Sequence, residues 1–131
     1  MKNKQKHIFI VDDDEFILWT LKAKFEKENY KVTLSSNVDD AYFKVNVITP
    51  SVVLLDIVLP GMNGLDFMSV INSRLAAEHV PVIIMSALSQ ANVMQTAYKL
   101  GAKAYMTKPF SMDYAYEMVN RIASSENRYV S

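Results

Sequence analysis

The chain has no cysteine, which excludes disulfide frameworks, thiol catalysis and Cys-based zinc sites. It has no excess charge of either sign, since 14 Lys and Arg stand against 14 Asp and Glu. Gripping nucleic acid or anionic lipid by bulk electrostatics is therefore not expected, and no basic helix-turn-helix segment is present to bind DNA directly. No apolar run approaches the length of a transmembrane helix. The apolar stretch 7–11, after the basic residues 1–6, is too short for a signal-peptide core and stops at three aspartates. A soluble, cytoplasmic protein with no membrane contact is the expectation. What is abundant is apolar side chain, half of the 131 residues, against 21% charged. That suffices for one domain burying roughly 65 to 70% of its unfolded surface without metal or crosslink.

Short apolar runs rich in β-branched residues alternate with longer segments of helical period. The runs are 7–11, 31–34, 52–55, 82–85 and 104–107; the helical segments are 14–27, 38–47, 64–75, 91–100 and 112–123. Each run is too short and too evenly apolar for a half-exposed antiparallel strand, and reads as a buried parallel one. Five βα units predict a doubly wound α/β fold, a five-stranded parallel sheet with right-handed crossovers and five helices over both faces. The few helix and strand breakers agree. Asn29 follows the first helix where a left-handed residue is wanted, Pro50 precedes the third strand, Pro81 opens the fourth, and Gly101 ends the fourth helix. Gly61 and Gly64 read as turn residues needing positive φ. The expected organisation is a basic extension over 1–6, one domain over 7–123 and a polar tail over 124–131.

In open parallel sheets, function gathers at the carboxyl ends of the strands. Asp12 and Asp13 end the first strand, Asp56 the third and Ser86 the fourth, and Lys108 follows the fifth just before Pro109. Clustered carboxylates take up protons unless a divalent cation bridges them, and an all-oxygen set suits Mg²⁺. Asp56 can then act as a carboxylate nucleophile that forms an acyl phosphate. Metal, Lys108 and Ser86 would each neutralise part of the charge on a transferring phosphoryl group. Helix capping by Asp13 or Asp14 and solvation of Asp56 would explain the acids alone, but not the acids together with Ser86 and Lys108-Pro109.

Four segments carry a family likeness: IFIVDDDE at the first strand, VVLLDIVLPGMNG around the third, VIIMSA at the fourth and GAKAYMTKPF at the fifth. In order and separation they resemble the receiver domain of two-component response regulators, the CheY-like superfamily, from His7 to about Ile122. The resemblance implies the flavodoxin-like (βα)5 fold and a signalling role rather than an enzyme's. A histidine kinase or histidine phosphotransfer protein would phosphorylate Asp56, and a surface change would reach a downstream protein target or a fused output domain. It further implies that Asp12 and Asp13 hold Mg²⁺ with Asp56 and the backbone carbonyl of Val58. Lys108 would pair with Asp56 and then with the phosphate. Ser86 would swing in to bond a phosphate oxygen, and Tyr105 would be the aromatic switch that turns inward as it moves. Apolar Val58 and Leu88, two residues after Asp56 and Ser86, would cover the phosphoryl group and slow its hydrolysis.

A competing reading is a small Mg²⁺-dependent phosphohydrolase of the haloacid dehalogenase type, with Asp12 and Asp14 as its Asp-x-Asp and Asp12 as nucleophile. Against it, Phe16 replaces the expected Thr or Val, no acidic pair follows Lys108, no cap insertion is present, and Asp56 has no task.

Apolar residues left over from the core stripes mark candidate partner surfaces. On the fourth helix Val93, Ala97 and Leu100 point inward, which leaves Met94 and Tyr98; on the fifth Ala115, Val119 and Ile122 leave Tyr114 and Met118. Both pairs flank the Tyr105 strand and read as a face for a target or for a phosphorylation-dependent homodimer, with ordinary scattered hydrophobes as the alternative. On the first helix Ile17, Leu21 and Phe25 suffice for the core. Leu18 and Trp19 then read as a docking anchor beside the pocket, with packing against the sheet rim as the alternative. His7 and His79 read as solvent-exposed histidines at the opposite rim.

Overall fold

The computed structural model describes the backbone of residues 5–128 and the side chains of residues 5–124. The elements run β1 (His7–Val11), α1 (Glu15–Lys27), β2 (Lys31–Ser35), α2 (Val38–Val45), β3 (Val52–Asp56), β4 (Val58–Leu59), β5 (Met62–Asn63), α3 (Gly64–Ala77), β6 (Val82–Ser86), α4 (Ala91–Lys99), β7 (Ala104–Thr107) and α5 (Met112–Arg128). Five strands form one parallel sheet in the order β2-β1-β3-β6-β7, and β4 with β5 makes a small antiparallel hairpin. This is the doubly wound fold expected from the sequence.

β3 and β6 are buried along their whole length, and β1 is buried beyond His7, because helices cover both faces. Alternate strand residues feed two cores. Phe9, Val11, Val53, Leu55 and Ile84 pack with α2, α3 and α4, while Ile8, Ile10, Leu54 and Ile83 pack with α1 and α5. From β1 the chain steps to β2 on one side and then to β3 on the other, so the strand order reverses beside the ends of β1 and β3.

The starts of α1, α2 and α3 are held by side-chain caps, while α4 starts at Gln90 without one. Asp14 Oδ1 accepts from the amides of Phe16 and Ile17 at 3.0 and 3.4 Å, as expected, and Asn37 and Asn63 cap α2 and α3. Asn29 and Gly101 adopt the anticipated positive φ of 67° and 114°, and His79 ends α3 the same way at 59°.

Several expectations need correction. Gly61 has a positive φ of 85°, but Gly64 serves another purpose: a Cβ there would lie 2.0 Å from the Ile57 Cα, so only glycine permits the contact. Leu18 is no surface anchor; it is buried with Leu21 and Phe25 in the α1–α5 core, and Ile17 is the half-buried neighbour. His7 is half-buried, its Nε2 is 2.7 Å from Thr33 Oγ1, and burial with the nearby Lys31 charge holds its pKa below the ordinary value. His79 is exposed. α5 continues to Arg128 instead of stopping at 123. Of the expected extension and tail, residues 1–4 and 129–131 lie outside the described residues. Among the described residues no helix is long and apolar enough to cross a membrane.

Candidate functional site

Parallel register brings the strand ends level: Val11 pairs with Leu55 and Asp56 with Met85, so Asp12, Asp56 and Ser86 emerge on one rim. All three are buried. Lys108 reaches back from the end of β7, fixed by its amide donating to the Ser86 carbonyl at 2.8 Å. Its Nζ donates to Asp12 Oδ2 and to Asp56 Oδ2, both at 2.7 Å. The other carboxylate oxygens are held locally: Asp12 Oδ1 accepts from the Asp14 amide and Asp56 Oδ1 from the Val58 amide, each at 2.8 Å. These turns point both carboxylates at one ammonium.

Burial opposes the charge on Lys108, but its hydrogen bonds to Asp12 and Asp56 outweigh that and hold its pKa above the usual value. Burial also pushes the Asp12 carboxyl up, and the Lys108 and Asp14 hydrogen bonds offset this only in part. Asp13 is exposed on the same rim, and one carboxylate oxygen from each of Asp12, Asp13 and Asp56 lies within 4.8 Å of the others. Three carboxylates against one ammonium leave two negative charges uncompensated. Hard oxygen donors with that residual charge fit a divalent cation.

The remaining expected residues are coupled through a group the sequence did not single out, the backbone of Leu88. Ser86 Oγ accepts from the Leu88 amide at 3.1 Å, and the Tyr105 hydroxyl donates to the Leu88 carbonyl at 2.6 Å. Tyr105 already occupies an inward position, 7% exposed, where burial raises its phenol pKa. The Val58 side chain is exposed and Leu88 is half-buried; with Leu59, Met62, Leu65 and Val93 they line a largely apolar cavity of about 320 Å³.

Of the proposed partner positions, Tyr98 and Tyr114 are exposed, whereas Met94 and Met118 are half-buried and pack against the two cores. Trp19 is exposed as expected. Phe16 was missed, although it is 78% exposed. It lines a cavity of about 240 Å³ with Ile17, Thr20, Lys108, Pro109, Phe110 and Met112. Its i, i+3 relation to Trp19 on the side of α1 opposite Leu18, Leu21 and Phe25 was the available signal.

The family model described as "Response regulator receiver domain" matches residues 8–120. Transcriptional regulatory protein KdpE of Staphylococcus aureus is 35% identical over 124 residues, which are 92% of this chain and 52% of that protein. Sporulation initiation phosphotransferase F of Bacillus subtilis is 33% identical over 114 residues, 87% of this chain and 90% of that protein. Among solved structures, a CheY-like receiver domain protein from Methanospirillum hungatei shares the fold with a TM-score of 0.90 at 24% identity, covering 96% of this chain and 99% of that one. The receiver domain of Francisella response regulator 1452 gives 0.84 at 28%, covering 92% and 98%. The chain spans about half the length of KdpE and 24% of the transcriptional regulator NtrC of Salmonella typhimurium. The phosphohydrolase reading, with Asp12 as nucleophile, finds no support in these matches. With the family match running through all five strands of the main sheet, this chain belongs to the response regulator receiver domains, the phosphoacceptor signalling modules of two-component systems.

Proposed function

We propose that Asp56 is the phosphoacceptor and that Lys108, Ser86 and Tyr105 couple its phosphorylation to the surface. One Asp56 carboxylate oxygen attacks the phosphorus of a phosphohistidine carried by a histidine kinase or histidine phosphotransfer protein. An O–P bond forms, the P–N bond breaks, and the imidazole nitrogen leaves with the bonding pair. The observation that carries this reading is the pair of 2.7 Å hydrogen bonds from Lys108 to Asp12 and Asp56. A cation already aimed at the acceptor oxygen costs no reorganisation when phosphoryl oxygens arrive. Asp12, Asp13 and Asp56, with the Val58 carbonyl, are the groups that would hold Mg²⁺, which when bound supplies charge neutralisation for those oxygens.

Once phosphate is present, Ser86 turns its hydroxyl to a phosphoryl oxygen and gives up the Leu88 amide. Tyr105, tied to the carbonyl of the same residue, registers the change. The exposed Tyr98 and Tyr114, beside half-buried Met94 and Met118, form the face that a downstream protein or fused output domain reads. The phosphodonor docks on the other side of the pocket, over Phe16, Trp19 and Phe110, where the apolar cavity adjoins Lys108. Nucleic acid and membrane have no part in this scheme, and the chain acts in the cytoplasm.

The test is Asp56→Asn with acetyl phosphate and Mg²⁺, read by intact mass. Wild type gains one phosphoryl group and the variant none, with unchanged circular dichroism. Undiminished incorporation in a folded variant refutes the assignment.

A further inference from the structure

β2 is an edge strand of the main sheet, and only its last residue, Ser35, is fully buried. The backbone there is held on both sides. The Ser35 carbonyl faces β1 and accepts from the Asp12 amide at 3.1 Å, whereas the Leu34 carbonyl, turned to the open edge, accepts from Lys44 Nζ at 2.6 Å. Asp40 of α2 joins the two: its Oδ2 accepts from the Ser35 hydroxyl at 2.6 Å and pairs with Lys44 Nζ at 2.8 Å. The Lys44 and Ser35 hydrogen bonds hold the Asp40 carboxyl below the usual carboxylate range. Helix α2 does not need this carboxylate for its own start, because Asn37 Oδ1 already accepts from the Asp40 amide at 2.8 Å.

The consequence lies on the neighbouring strand. Asp12 and Asp13 are two of the three carboxylates brought together for a cation. Asp13 is exposed, so its place depends on the backbone of residues 12–14. That turn is tied at its far end by Asp14, whose amide donates to Asp12 Oδ1 and whose carboxylate caps α1. At its near end the Asp12 amide rests on the Ser35 carbonyl. We infer that Ser35, Asp40 and Lys44 are positioning residues for the Mg²⁺ site, fixing the end of β2 so that Asp12 and Asp13 are in place before the ion arrives.

The inference rests on Asp12, Asp13 and Asp56 being the Mg²⁺ ligands. Mg²⁺ demands near-ideal octahedral geometry, so ligands that drift must be re-ordered at a cost in affinity. An edge strand has one ladder neighbour, and the Ser35 hydroxyl and Lys44 ammonium replace the neighbour that β2 lacks on its outer side.

Isothermal titration of the full chain with Mg²⁺, beside urea melts of the same proteins, tests this. Groups bonded directly to a ligand are worth about 10–100-fold in metal affinity, and these act one bond further out, so Ser35→Ala and Asp40→Ala should each weaken Mg²⁺ binding by about threefold to tenfold. The two together should lose little more than either alone, because both remove the same bond. Asp40→Asn, whose amide oxygen can still accept from Ser35, should lose less than Asp40→Ala. Phosphorylation by acetyl phosphate should need more Mg²⁺ in these variants and reach the wild-type rate once Mg²⁺ saturates. Tyr30→Phe removes the hydrogen bond to Asn120 on the α1–α5 side, and should lower stability with Mg²⁺ affinity unchanged. Folded Ser35→Ala and Asp40→Ala proteins that bind Mg²⁺ as wild type does, or a fall in affinity that Tyr30→Phe reproduces, overturn the inference. Asp13→Ala binding Mg²⁺ as tightly as wild type would instead overturn the ligand assignment beneath it.

Discussion

Hydrolysis of an Asp56 acyl phosphate requires a water held in line with the bond that breaks, and the walls beside Asp56 offer such a water little. Val58 is fixed next to the acceptor by its amide hydrogen bond to Asp56 Oδ1, and Leu88 is fixed opposite by Ser86 and Tyr105. The cavity they share, about 320 Å³, has room for several waters at about 30 Å³ each, so space is not the obstacle. The obstacle is orientation: both side chains are apolar, and neither can accept or donate a hydrogen bond. Replacing Val58 by Asn and Leu88 by Glu puts polar groups at both positions without moving the backbone that holds them. One useful hydrogen bond in the transition state contributes about 1.4 kcal/mol at the upper end of the usual range, so dephosphorylation should accelerate ~10-fold. The assay follows loss of phosphate from purified protein in Mg²⁺ buffer after the donor is removed. An equal or slower rate in the double variant would show that these side chains do not govern the water.

Three further outcomes follow from the same geometry. Lys108→Ala leaves Asp12 and Asp56 facing each other without their shared ammonium, a loss of about 3–5 kcal/mol in chelator. The variant should still bind Mg²⁺ and regain more stability from it than wild type does; melts that match wild type in chelator would contradict this. Gly64→Ala drives a Cβ into the Ile57 backbone and should cost about 3 kcal/mol or more, whereas Gly61→Ala, with open space around it but a positive φ, should cost about 1 kcal/mol. Equal urea midpoints for the two would refute the distinction. His7 titrates below its unfolded value near 6.5, so the unfolded chain takes up the proton first. Its share of stability, complete above about 6.5, is lost as pH falls from there towards the folded pKa; His7→Asn should show a flatter stability profile in that window.

Most of the architecture was legible because parallel strands covered on both faces must be evenly apolar, and five such runs between helical segments admit few topologies. The rim residues were legible for a related reason, since Asp12, Asp56 and Ser86 are where those apolar runs end. The β4–β5 hairpin was not, because two-residue strands on either side of Pro60 and Gly61 carry no period. Leu18 was misplaced because 17, 18, 21 and 25 are all apolar and two stripes fit the first helix equally well; only packing against α5 selects one. The link through Leu88 lies in backbone groups, which any residue type supplies, so composition holds no trace of it.

The most direct measurement is the position of the phosphoryl group itself. After brief treatment with acetyl phosphate and Mg²⁺, borohydride reduces an aspartyl phosphate to homoserine, and peptide mass spectrometry locates the altered residue. The modification should fall on Asp56 alone, in the peptide that contains Val58, and should be absent from Asp12 and Asp13. Homoserine at position 12 or 13, or an unmodified Asp56 in protein that has gained a phosphoryl group, would contradict the assignment of Asp56 as acceptor.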